Sequence, residues 1–256
     1  MRNHFRLFAP ALAALVLTTA ASAQPRPLTA ADYGPVLSSP SRSQADRNDD
    51  AARKPAQVLE FAQIRPGDII LEMEVGRGWY TDILAAAVGP KGRIYTQNPE
   101  EFAYSGPALA TRRAAGRLTN VTETTSRFDS LQLPDASVDK VLWILGPHEV
   151  YFTPNGSPGL GVPAKTYAEI ARVLKPGGSF VAMDHAANAG APTTTGASIH
   201  RIDPAVVLAS AQAAGFRLEA KSDVLANPTD DRSKMVFDAT VRRHTDQFLF
   251  RFRKPR

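Results

Sequence analysis

The sequence contains no cysteine, which excludes disulfides, thiol nucleophiles and thiolate metal sites. A chain without thiols suits an oxidising compartment, where a stray thiol is a liability. Long apolar runs are also scarce. The one candidate, Leu7 to Ala20, is 14 residues long, short of the roughly 20 that a membrane-spanning helix needs. No Lys/Arg block is long enough to argue for a nucleic-acid partner. The nearest, Arg242-Arg243 and the tail from Arg251 to Arg256, read as a solvated edge strand and end. There is no internal repeat.

What is present begins with a leader. Arg2 and Arg6 precede the apolar run, and Ala21-Ser22-Ala23 follows it as a small-residue cleavage site before Gln24. That is the pattern of a secretory signal peptide over residues 1–23. The expected product is periplasmic or secreted, with no stable membrane insertion after cleavage. Losing Arg2 and Arg6 lowers the formal charge from +5 to +3, a mildly basic chain. Residues 24–40 carry Pro25, Pro27, Pro35 and Pro40 and read as an extended arm. Residues 41–256 are long enough to bury one large core.

The chain is organised around Ile69 to Leu84. Ile69-Ile70-Leu71 is an apolar run expected of a strand covered on both faces. Glu72 stands at its carboxyl end. Gly76 and Gly78 permit a tight turn and close approach, and from Trp79 the apolar spacing becomes helical. Such a turn presents free helix N–H groups to a ligand. Val88 to Gly92 then stops the helix and Arg93 to Thr96 reads as a second strand, completing a βαβ unit.

Further strands are expected at Leu118–Thr125, Val138–Leu145 and Ser179–Met183, with helices at Pro99–Gly116 (broken at Gly106-Pro107), Ala164–Leu174 and Asp203–Ala214. Gly146 to Pro163 reads as one long loop and Ala186 to Ile199 as irregular. Phe216–Leu225 and Gln247–Arg253 read as a closing strand pair. Strand–helix alternation followed by that pair predicts an α/β fold: a doubly wound, Rossmann-like, mostly parallel sheet with an antiparallel edge pair. Ligands in such sheets lie beyond the carboxyl ends of the strands. Glu72 to Gly78, Gln97-Asn98, Ser126 to Asp129, Gly146 to Glu149 and Asp184-His185 should converge there.

Three segments, in order and spacing, make the chain resemble a class I S-adenosylmethionine-dependent methyltransferase: Leu71 to Gly78, Leu133-Pro134-Asp135-Ala136-Ser137-Val138-Asp139, and Leu174-Lys175-Pro176-Gly177-Gly178. More narrowly, Gly76 to Thr81, Asp184-His185, His200 to Asp203 and Ser222 to Arg232 resemble a group of exported bacterial proteins described as predicted methyltransferases. The resemblance implies S-adenosylmethionine as cofactor and a small-molecule substrate. It implies that Glu72, Gly76 and Gly78 cradle the cofactor's methionine part, Gln97 or Asn98 its ribose, and Asp129 its adenine. Glu74 replaces the usual first glycine, and the usual ribose and adenine acids are missing. A second reading is therefore a non-catalytic binding protein that keeps the fold with a lost or altered cofactor site.

Methyl transfer is an in-line displacement that needs alignment, desolvation and at times removal of a proton. His148, beside Glu149, is the first candidate for that proton or for orienting substrate. Asp184-His185 and His200 are expected to frame the same crevice. Asp184, His185, His148 and His200 are metal-ligating types, but their spacing fits no compact metal motif and no metal is assigned.

Overall fold

The computed structural model describes residues 27–256; the leader read over residues 1–23 lies outside them. Among the described residues the strands are β1 (Ile69–Met73), β2 (Arg93–Asn98), β3 (Val121–Thr125), β4 (Val138–Ile144), β5 (Leu174–His185), β6 (Arg217–Ser222) and β7 (Gln247–Arg253). They form one sheet in the order β3-β2-β1-β4-β5-β7-β6. β1 to β5 are parallel; β7 runs antiparallel to β5 and β6. This is the architecture expected from the alternation of elements.

The sheet is buried on both faces, and the two-residue period of its strands sorts them. Leu71, Val141 and Phe180 face a core shared with α7 (Pro163–Val173) and α9 (Pro204–Ala213) through Tyr167, Ile170 and Val207. Their neighbours Ile70, Leu142 and Val181 face the other core, with α4 (Pro55–Ala62) and α5 (Trp79–Val88) supplying Leu59, Ile83 and Leu84. Burial on both faces explains why these strands are continuous apolar runs rather than alternating ones.

Two expectations, the extended arm and the start of β5, are corrected. The described part of the Pro-rich arm is not extended: Ala30–Tyr33 is a 3₁₀ turn that runs into α1 (Gly34–Leu37). Tyr33 is 2 % exposed, and its hydroxyl donates to the Leu59 and Ile64 carbonyls at 3.2 and 2.7 Å. The helical stretch before β1 is three pieces, α2 (Gln44–Asn48, capped by Ser43), α3 (Asp50–Arg53) and α4, broken at Lys54 in the left-handed region. β5 begins at Leu174 rather than Ser179, because the Lys175-Pro176-Gly177-Gly178 segment is a bulge within the strand. A Cβ on Gly178 would lie 2.9 Å from the Asp139 carbonyl, so only glycine lets the two backbones approach.

The remaining helices are α6 (Gly106–Ala114), preceded by a 3₁₀ segment over Glu100–Ser105, and α8 (Thr195–Ile199) within the segment expected to be irregular. A 3₁₀ turn, Pro147–Tyr151, also interrupts the long loop after β4. No helix of the described residues is long and apolar enough to cross a membrane.

If residues 29–37 are part of the fold, Tyr33→Ala should cost about 3 kcal/mol by cavity formation. Urea unfolding monitored by circular dichroism measures this; a change below about 0.5 kcal/mol would show an undocked arm.

Candidate functional site

The strand order reverses between β1 and β4, and the crevice opens at their carboxyl ends, as in other doubly wound sheets. A cleft of about 840 Å³ lies there, walled by Glu72, Glu74, Gly76, Trp79, Tyr104 and Arg112 among others. Glu72 is 3 % exposed, and its Oε2 accepts no hydrogen bond from a described residue. Burial pushes its pKa up to about 8, which favours the neutral acid at pH 7.

Beyond Glu72 the chain turns through three residues of positive φ: Glu74 (55°), Gly76 (53°) and Gly78 (75°). Glu74 holds this left-handed conformation without being glycine, a strain that structures retain where a side chain is needed. Its backbone N–H donates to the Gln97 carbonyl at 2.7 Å, and its carboxylate accepts from Trp143 Nε1 at 3.2 Å. Gly146 leaves room for that pairing, because a Cβ there would collide with both Glu74 Oε2 and Trp143 Nε1. Burial and the nearby Glu149 push the Glu74 carboxyl well above the usual range. The replacement of the usual glycine thus adds a carboxyl group to the cleft wall.

The two glycines differ in role. A Cβ on Gly76 would enter open space, and Gly76 lines the cleft. A Cβ on Gly78 would lie 2.6 Å from Leu109 Cδ2 and 3.3 Å from Arg112 Cδ. Gly78 thus packs against α6, and its φ of 75° is what favours glycine there; unlike Gly76, it is not among the residues lining the cleft.

Arg112 of α6 escaped the sequence reading, since its partners are far along the chain. Its guanidinium makes a two-pronged pair with Asp46 of α2, both contacts at 2.8 Å. It also reaches Asp82 of α5 at 3.3 Å and donates from Nε to the Arg77 carbonyl at 2.9 Å. One side chain thereby fixes the glycine turn, the first crevice helix and the segment before β1. Trp79 adds to the tie by donating from Nε1 to the Asp46 carbonyl at 2.9 Å, with the Arg53 guanidinium 4.8 Å from its ring.

The expected ribose and adenine residues are used otherwise. Gln97 Nε2 donates to the Ser126 carbonyl at 2.5 Å and Asn98 Nδ2 to Ser105 Oγ at 2.9 Å. Their amide oxygens, buried, accept nothing from described residues, but neither residue lines the cleft. Asp129 also lies outside it, accepting from Arg127 Nε at 3.2 Å and the Val162 N–H at 2.8 Å. It clamps the loop ahead of α7.

The histidines divide. Asp184, fully buried at the end of β5, accepts from the His148 backbone N–H at 2.7 Å and from the His185 N–H at 2.8 Å. His148 Nδ1 lies 2.9 and 3.0 Å from its two oxygens. On the other side His148 Nε2 lies 3.3 Å from Glu149 Oε1 and 3.1 Å from His200 Nδ1. Burial opposes charge on His148, but Asp184 and Glu149 outweigh it and raise its pKa to about 10. The two carboxylates thus favour the imidazolium form of His148, and its contacts orient Glu149 and His200. Burial of Glu149 is likewise outweighed, by His148 and His200, and its pKa falls to about 2.

His185 is not in this group. Its Nδ1 pairs with Thr245 Oγ1 at 2.7 Å, and burial followed by the charge of His148 lowers its pKa to about 3. His200 enters from the C-terminal end of α8 at φ 53°. Next to it, Arg201 is fully buried and paired with Asp230 at 2.8 Å, anchoring the polar loop that follows β6. His200 is the most exposed member of the cluster, and its ring centroid lies 5.1 Å from that of Phe237, which lines the cleft. Glu74 and Phe237 therefore join the cluster to the cleft.

The architecture is the class I methyltransferase fold, and residues 71–182 match the family model for a methyltransferase domain. A S-adenosylmethionine-dependent methyltransferase from Aquifex aeolicus superposes with a TM-score of 0.58 at 22% identity, covering 81% of this chain and 95% of that one. A [4+2]-cyclase superposes with the same score at 19% identity, covering 85% of each. In sequence, the chain is 30% identical over 128 residues to a ubiquinone/menaquinone biosynthesis C-methyltransferase of Hydrogenovibrio crunogenus. That match spans 50% of this chain and 46% of the relative.

The residues present fit the methionine end of S-adenosylmethionine: a buried carboxyl with an unpartnered oxygen, beside a glycine whose missing side chain leaves open space. The fit is weaker at the ribose and adenine ends, where Gln97, Asn98 and Asp129 serve the fold.

Replacing Arg112 by Met should strand the buried Asp46 and Asp82 carboxylates and cost about 3 kcal/mol. Denaturant unfolding at pH 7 tests this; a loss below about 1 kcal/mol would show that the pair does not hold the turn.

Proposed function

We propose that the protein is an exported S-adenosylmethionine-dependent methyltransferase acting on a small-molecule acceptor. The observation that carries this is the buried Glu72 carboxyl in β1, which lines the cleft with its Oε2 accepting no hydrogen bond from a described residue. A cationic amino group bound beside it would favour its ionised form and pair with the carboxylate. Gly76 gives that group room, and Arg112 holds the turn in place. Bound there, the cofactor supplies an electrophilic methyl group.

On the substrate side His200 is the ring that an acceptor meets first, and Phe237 beside it offers an apolar wall. His148 and Asp184 set the orientation of Glu149 and His200. Glu149, held ionised by the two histidines, keeps them in place, and Glu74 adds a carboxyl group to the cleft wall. The apolar leader with its Ala-Ser-Ala site supports export, and a cleft of about 840 Å³ has the size of a small-molecule site.

The second reading, a binding protein that has lost or changed its cofactor site, draws on Gln97, Asn98 and Asp129 being committed to structure. Calorimetric titration with S-adenosylmethionine and S-adenosylhomocysteine separates the two. Methyl transfer predicts micromolar binding, about −8 kcal/mol. Glu72→Gln should weaken it roughly 10- to 100-fold through loss of a charged hydrogen bond. No heat at millimolar ligand from the folded protein would favour the binding-protein reading.

The same titrations should depend on pH. Below pH 8 the ligand must expel the Glu72 proton, so affinity should rise from pH 6 to pH 8, by up to roughly tenfold per unit. It should level off above that, and the slope should vanish in Glu72→Gln. A slope that survives the substitution would assign the proton to another group.

A further inference from the structure

We propose that His148 Nε2, Glu149 Oε1 and His200 Nδ1 form a three-ligand site for a divalent cation of the zinc type. The three atoms lie within 4.8 Å of one another. Their separations are 3.1 Å between the two imidazoles, 3.3 Å from His148 to Glu149 and 3.4 Å from His200 to Glu149. Ligand atoms about 2.0–2.2 Å from a tetrahedral zinc ion stand about 3.3–3.5 Å apart. The three contacts therefore have the dimensions of one face of such a tetrahedron. Protons can bridge these contacts only in pairs, whereas one cation above the face would satisfy all three at once.

The surroundings are those of a ligand site. Glu149 is 8 % exposed, and its Oε2 accepts no hydrogen bond from a described residue. His148 presents Nε2 to the cluster because its Nδ1 faces the buried Asp184 carboxylate at 2.9 Å. A carboxylate behind a ligating histidine fixes the ring's orientation and raises its basicity. His200 is delivered by unusual backbone, at φ 53°. Its helix can approach because residue 196 is glycine: a Cβ there would lie 2.6 Å from the His148 carbonyl.

Two imidazoles and a carboxylate favour zinc or a similar first-row ion over calcium or magnesium, which prefer all-oxygen sets. Three protein ligands leave a fourth position open, as in catalytic rather than structural zinc sites. An ion there would lower the pKa of a hydroxyl bound to it and so prepare an oxygen acceptor. That consequence rests on the methyl-transfer reading; binding of the ion does not.

The test is equilibrium dialysis and calorimetry of the untagged, chelator-treated protein with Zn²⁺ alone, with S-adenosylhomocysteine binding measured in parallel. The expected result is one Zn²⁺ per chain at micromolar or lower dissociation constant. Co²⁺ in its place should give the intense visible absorption of a four-coordinate ion. Glu149→Gln keeps the side chain's shape, and His200→Asn keeps a residue that tolerates positive φ. Each should weaken Zn²⁺ binding at least tenfold, while His185→Gln, outside the cluster, should leave it unchanged. Asp184→Asn should weaken it 10- to 100-fold. Absence of saturable Zn²⁺ uptake by the folded protein would overturn the site, as would uptake that Glu149→Gln and His200→Asn both leave unchanged. Cofactor binding without Zn²⁺ uptake would overturn the cation site alone; Zn²⁺ uptake without cofactor binding would leave it standing and remove the methyl-transfer reading.

Discussion

The carboxylate of Asp184 holds the far side of the crevice together. It sits at the end of β5, fully buried, and receives three N–H groups from two chain segments. A buried carboxylate is costly unless its oxygens are paired. The turn after β4 must therefore close onto β5 in one arrangement, with the His148 backbone and ring both directed at the same acid. Glu149 is placed by that closure, and the cluster is completed where α8 brings in His200. The histidine cluster is built outward from that one buried acid.

The opposite wall depends on a different kind of constraint. The turn after β1 runs through positive φ at residues 74, 76 and 78, and Arg112 pins it to α2 and α5. Here the protein accepts backbone strain at Glu74 and places its carboxyl between the glycine turn and the histidine cluster. Burial and the neighbouring Glu149 raise the Glu74 carboxyl well above its usual range, so the turn is tied electrostatically to the histidine cluster. A sheet whose order reverses at β1 and β4 supplies the gap between the walls.

Much of the fold was legible along the chain. Ile69–Leu71, Val138–Leu145 and Ser179–Met183 are continuous apolar runs because both faces of the sheet are covered, and that pattern needs no partner to be visible. Glu72, Gly76, His148 and Asp184 could be singled out because they stand where those runs end. Other features could not. Gly78 reads like Gly76 in sequence, and only the position of Leu109 separates a packing glycine from a cleft glycine. Asp129 was a candidate for adenine because it is the nearest acid, yet Arg127 and the Val162 N–H take its oxygens.

What the sequence by itself determined is the periodic part: strands, helices, their alternation and hence the parallel sheet with its antiparallel edge. Periodicity is local, set by the pleat of a strand and the pitch of a helix. Tertiary structure alone decided which polar groups meet. Arg112 and Asp46 are 66 positions apart, and His148 and His200 are 52 apart. The apolar cores fix where such distant residues lie, and the cost of leaving a buried charge unpaired then decides that they touch. His185, adjacent to Asp184 in the chain, faces Thr245, while His200, far along it, faces His148. Strand alternation turns consecutive side chains to opposite faces, so neighbours in sequence part and residues with no local signal come together.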